Sequence, residues 1–185
     1  YPPRPVNGFM VTGMLTPPNA AQFTFPAAFA SRLGPEYVVD LDFIRDEDGF
    51  RLHGLPSKEE MLPQIQQMTA ARIDTCVRLL GEEPWHFFMV VFTGTDRISH
   101  FFWDDLEGII DDAQPGNAQP LSPLQQQLLH YFHTLDEGIG QLLQKAGDEA
   151  LVMRLSDDGF GPASTRRVYV NVWLEQLGLL RPRAA

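Results

Sequence analysis

Two short apolar runs, Trp85 to Phe92 (WHFFMVVF) and Ala150 to Leu155, each follow a long amphipathic stretch and each end directly in a polar cluster. That order constrains the fold more than any other feature of the chain. The first amphipathic stretch opens at Ser57, where Pro56 precedes the cap and Glu60 completes a Ser-x-x-Glu capping box. Met61, Ile65, Met68, Ile73, Val77 and Leu80 continue at roughly helical spacing until Gly81. The second stretch runs from Ser122 to Lys145, with Pro123 at its first helical position and Gly147 past its end. Its stripe is Leu124, Leu128, Tyr131, Phe132, Leu135, Ile139 and Leu142. A short core helix shares the hydropathy of the run at 85–92, but β-branched and aromatic content favours a strand buried on both faces. Helix, strand, helix, strand predicts an α/β fold with a mostly parallel, crossover-connected sheet flanked by helices.

Outside this pattern the signals are local. Residues 1–35 are rich in Pro and Gly and read as a loop excursion, with a short strand at Phe9 to Thr12. Tyr37 to Phe43 reads as a strand that leads into an acidic turn at Asp46 to Gly49. Asn171 is a candidate cap for a last helix through Trp173, Leu174 and Leu177, stopped by Gly178.

The 185 residues suffice for a single domain, and the 24 acidic against 14 basic side chains leave a formal net charge of -10. Nucleic acid is therefore not an expected partner, since phosphate backbones need clustered Lys and Arg. A small phosphate ester remains compatible, because bound cations reverse the local sign of a site. The single cysteine, Cys76, excludes an internal disulfide and reads as a buried, inert thiol. No apolar run is long enough for a membrane span, and no leader pattern opens the chain, so cytoplasm is the default location. Tyr1 rather than Met begins the chain, which reads as a segment starting partway through a gene product.

Chemistry concentrates after the two apolar runs, where open α/β sheets place their sites. In FTGTDRISHFFW, a helical turn would put Asp96 and His100 on one face at i,i+4, an oxygen and a nitrogen donor for zinc or manganese. Equally, Asp96 can cap a helix while His100 packs against Phe101, Phe102 or Trp103. In SDDGFGP, Asp157 and Asp158 can bind a hard cation or simply face solvent in a turn. A parallel sheet would bring both clusters to one edge, where two metals could hold a phosphate ester. There is no phosphate loop, dinucleotide fingerprint or GxSxG elbow. His130, His133 and Asp136 form a weaker HxxHxxD pattern on the second long stretch, while His53 and His86 show no partner pattern. The block Phe101 to Trp103 reads as core or as a wall beside the site.

Four segments, VVFTGTDRISHFFWDD (90–105), YFHTLDEGIGQLL (131–143), SDDGFGP (156–162) and VNVWLEQLGLL (170–180), closely resemble the type I phosphodiesterase/nucleotide pyrophosphatase group of the alkaline phosphatase superfamily. VNGFMVTGMLTPP (6–18) resembles that group's stretch before its lid. The resemblance implies an alkaline-phosphatase-like α/β sandwich, incomplete in this chain, with residues 1–185 a single partial domain and 1–56 a loop-rich or lid-proximal segment. It further implies two divalent metals, usually zinc, and a Thr or Ser nucleophile that attacks phosphorus. Asp96 and His100 match the ligands of one metal and Asp157 a ligand of the other. Asp158 stands where the group has His, which hardens the site toward magnesium, calcium or manganese. The nucleophile, the first metal-binding Asp and a late His are expected outside this chain. The implied activity is metal-dependent hydrolysis of a phosphodiester or pyrophosphate bond in a longer protein. The alternative is a catalytically silent phosphodiesterase-like domain that acts in binding or assembly.

Overall fold

Ser57 starts the longest helix because its side chain and that of Glu60 each satisfy a free backbone donor at the helix start. In the computed structural model, which describes residues 1–17, 19–43, 45–46, 49–50, 55–112, 120–162 and 169–181, the Ser57 hydroxyl accepts from the Glu60 amide at 3.3 Å. Glu60 Oε2 in turn accepts from the Ser57 amide at 2.8 Å. The helix, α1, spans Lys58–Glu82. A second capping box, Ser122 with Gln125, opens α3 (Pro123–Ala146), which ends at Gly147 with φ +83°, a conformation suited to glycine. Between them α2 (Thr93–Asp112) bends at Phe102, where φ is -127° and ψ 18°. A short helix, α4 (Val170–Gln176), closes the described chain.

The three long helices carry the core. Leu62 and Ile65 of α1, Ile98 and Phe102 of α2, and Leu128 and Tyr131 of α3 are fully enclosed, with Phe43 packed beside them. The predicted stripes on α1 and α3 face one another across this core. They approach closely at Gly138, where an added Cβ would stand 2.3 Å from Cδ1 of the buried Ile73. A smaller cluster, Phe29, Leu33 and Leu79, gathers Phe9 and Phe88, with Phe9 stacked on Phe29 at 4.2 Å. Cys76 is buried, and burial pushes its thiol up to about 11. Among the described residues no helix is long and apolar enough to cross a membrane.

The expected α/β sandwich is not what the chain forms. Among the described residues the strands are two residues each: β1 (Met10–Val11) pairs antiparallel with β2 (Thr24–Phe25), and β3 (Arg45–Asp46) with β4 (Gly49–Phe50). Neither residues 85–92 nor 150–155 nor 37–43 join a ladder. In the first of these, Phe88, Val90 and Phe92 are half-buried while Phe87, Met89 and Val91 are exposed, the alternation of a strand without its neighbour. The second lies open, with Leu151 93% exposed and Leu155 85% exposed. Hydropathy favours a strand backbone, but a sheet also needs a partner in register, and no described segment supplies one. Residues 37–39 and 91–93 are instead fastened to α1 by the buried Arg72. Its guanidinium donates to Val91 O at 2.6 Å, Thr93 Oγ1 at 3.3 Å, Val38 O at 3.2 Å and Val39 O at 2.5 Å. The last helix also begins earlier than read: Tyr169 precedes it without a side-chain cap, and Asn171 lies inside.

Two comparisons test this packing. Replacing Gly138 by Ala gains about 1 kcal/mol of helix propensity but overpacks Ile73, which costs about 1–3 kcal/mol. Gly138→Ala should therefore lower the urea midpoint, whereas Gly140→Ala, with nothing within 4 Å of the new methyl, should raise it. Burial pushes the Tyr131 phenol from 10.0 up to about 12. Its contribution is whole below pH 10.0 and is lost as pH rises through about 12. Urea melts of Tyr131→Phe should show a shallower alkaline decline than wild type, with the Cys76 part remaining.

Candidate functional site

The first turn of α2 turns its polar side chains toward a cleft of about 440 Å³. Thr95 Oγ1 donates to Phe92 O at 2.9 Å and Ser99 Oγ to Thr95 O at 2.8 Å, so both hydroxyls are spent on the main chain. Asp96 lies in the first turn of α2. One turn on, His100 Nε2 lies 3.4 Å from Asp96 Oδ1, so the predicted i,i+4 face is formed, and by a full helix rather than a single turn.

The opposite wall is the segment 156–160. Ser156 Oγ donates to Asp158 O at 2.6 Å, and the Asp158 amide donates to Asp157 Oδ1 at 3.1 Å. These local bonds curl the segment so that Asp157 and Asp158 line the cleft with Asp96 and His100. Phe160 docks the segment onto α2: its ring meets His100 edge-on at 4.9 Å and lies near-parallel to Trp103 at 6.4 Å. The aromatic block thus divides, with Phe102 in the core, Phe101 against Phe43 at 5.6 Å and Trp103 against Phe160.

All four predicted donors line one cleft, yet they do not close around a common point. Among the described residues no three His, Cys, Asp or Glu side chains gather closely enough to hold a metal ion. The donor chemistry, three carboxylates and an imidazole, suits a divalent cation. The arrangement falls short of the three or four protein ligands a zinc site uses. His130, His133 and Asp136 are exposed, and His133 turns to Glu137 at 3.5 Å. His86 is exposed, and His53 lies outside the described residues.

Sequence reasoning missed three neighbours of the cleft. Arg97 Nη2 pairs with Asp40 Oδ2 at 2.5 Å, while its Nη1 stands 3.6 Å from Asp96 Oδ2. The charge of Asp40 within the apolar YVVDLDF stretch was the available signal. Phe160, between two glycines, offered none beyond its apolar side chain.

The family model for type I phosphodiesterase / nucleotide pyrophosphatase matches residues 6–184. The chain belongs to this family. No curated protein and no solved structure gives a match. Membership in the type I phosphodiesterase family places the chain in a hydrolase-related superfamily. Asp158, which the resemblance sets at the position of a histidine, lines the same cleft.

If Phe160 anchors the loop, removing its ring should free the loop. Phe160→Ala should speed tryptic cleavage after the exposed Arg154 several-fold, while Leu151→Ala, in the open part of the same segment, should leave the rate unchanged.

Proposed function

We propose that this chain is a catalytically silent, phosphodiesterase-like binding domain whose cleft takes a small phosphate ester together with a hydrated divalent cation. One observation carries the reading: the cleft collects Asp96, His100, Asp157 and Asp158, but no three such donors among the described residues enclose an ion. Cations of the magnesium or manganese class keep several waters and use one or two protein carboxylates plus a phosphate oxygen, so two donors are enough for them. When bound, the cation would supply the positive charge that lets an anionic ester enter this acidic cleft. Asp96 and His100 would hold it from the helix side, Asp157 and Asp158 from the loop side.

The hydroxyls support the silent reading. Thr95, Ser99 and Ser156 each donate to a main-chain carbonyl, so no described hydroxyl of the cleft donates to a basic side chain as an activated nucleophile would. Family membership and the shared cleft favour a second reading, in which these four residues belong to a two-metal hydrolase of phosphodiester or pyrophosphate bonds in a longer protein.

Calorimetry and turnover separate the two. Mn²⁺ should bind, and Asp96→Asn should weaken it about tenfold, the effect of deleting one nearby opposite charge. Hydrolysis of bis(p-nitrophenyl) phosphate, by the chain or by a longer protein that carries it, should not exceed the rate with Mn²⁺ alone. Turnover abolished by Asp96→Ala would establish the hydrolase reading instead.

A further inference from the structure

We infer that Asp40 is a positioning residue for the cleft: it takes the hydrogen bond of the Arg97 guanidinium, so that Arg97 meets Asp96 only as a longer ion pair and the Asp96 carboxylate stays available to a ligand. The inference rests on the cleft being a cation-binding site. Arg97 follows Asp96 directly on α2 and has two carboxylates within reach. It hydrogen-bonds Asp40 at 2.5 Å and stands 3.6 Å from Asp96, an ion pair without a hydrogen bond. Burial explains the choice, since the Asp40 side chain is 9% exposed against 29% for Asp96, and attraction is stronger where water is excluded.

Asp40 is also held in place, because the carbonyls of Val38 and Val39 immediately before it accept from the buried Arg72. The carboxylate therefore cannot follow Arg97 toward the cleft. Arg97 keeps spare donor capacity: its buried Nε has no hydrogen-bond partner among the described residues. Freed from Asp40, a guanidinium with five donors would take Asp96 in a forked pair. That pair would occupy the oxygens a cation needs. An arginine beside a ligand carboxylate is in this way made harmless by a second, deeper carboxylate.

A purely structural role for the Asp40–Arg97 pair predicts something different, namely that any break in it loosens the cleft. Calorimetric Mn²⁺ titrations of the whole chain discriminate. Asp40→Asn, nearly isosteric, should weaken Mn²⁺ binding about tenfold by letting Arg97 close from 3.6 Å into hydrogen bonds with Asp96. The double variant Asp40→Asn/Arg97→Gln should recover affinity close to wild type, because no guanidinium remains to compete. A double variant as weak as Asp40→Asn alone would overturn the proposal, as would an unchanged Asp40→Asn.

The Arg97 Nε–Hε resonance gives a readout that needs no cation. Adding Asp96→Asn should shift it more in the Asp40→Asn background than in wild type. The reverse pattern, or no response in either background, would overturn the role of Asp40. If wild type takes up no Mn²⁺, the binding reading of the cleft fails, and this resonance still decides whether Asp40 holds Arg97.

Discussion

A buried guanidinium organises this chain. Arg72 lies in the middle of α1 and is 5% exposed, with no carboxylate partner among the described residues. Carbonyl oxygens of Val38, Val39 and Val91 take that place, with the Tyr37 ring 5.8 Å away. Hydrogen bonds from a charged donor contribute about 1.5–3 kcal/mol each, enough to offset the loss of water around a charge only when several form together. The consequence is spatial. Two irregular segments far apart in sequence are fixed to one helix, and each leads directly into the functional region. One delivers Asp40; the other delivers the first turn of α2 with Asp96 and His100.

The cleft inherits an asymmetry from this arrangement. Its helix side is rigid, because α2 is packed through Ile98 and Phe102 into the core. Its loop side belongs to a segment with exposed Leu151, Val152, Met153 and Leu155, docked through the single ring of Phe160. Binding that needs a donor or two from each side is compatible with such a wall. Chemistry that needs donors fixed within a fraction of an ångström is not, since small misplacements of reacting groups are costly. This is the physical ground for reading the chain as a binder within a hydrolase-related family.

Much of the helical framework was legible in the residues. The Ser57/Glu60 box, Pro123 at a helix start and Gly147 past its end are local devices whose partners lie within four residues, so distant contacts do not alter them. The apolar stripes of α1 and α3 likewise located the core. The strand expectation for 85–92 and 150–155 failed for the opposite reason. Apolar, β-branched residues favour a strand conformation, yet pairing depends on a neighbour that composition does not specify. The full length of α2 was hidden too, because its apolar block bends at Phe102 and departs from a single helical stripe.

By itself the sequence determined which side chains could bind a cation, where two long helices start and stop, and which faces they bury. These properties depend on residue type and on spacing within a turn or two. Only the tertiary structure decided that Asp157 and Asp158 share a cleft with Asp96 and His100 without enclosing an ion, and that Arg97 turns to Asp40. Such contacts join segments dozens of residues apart, and they are set by the burial of Arg72, Asp40 and Phe102 rather than by any local pattern.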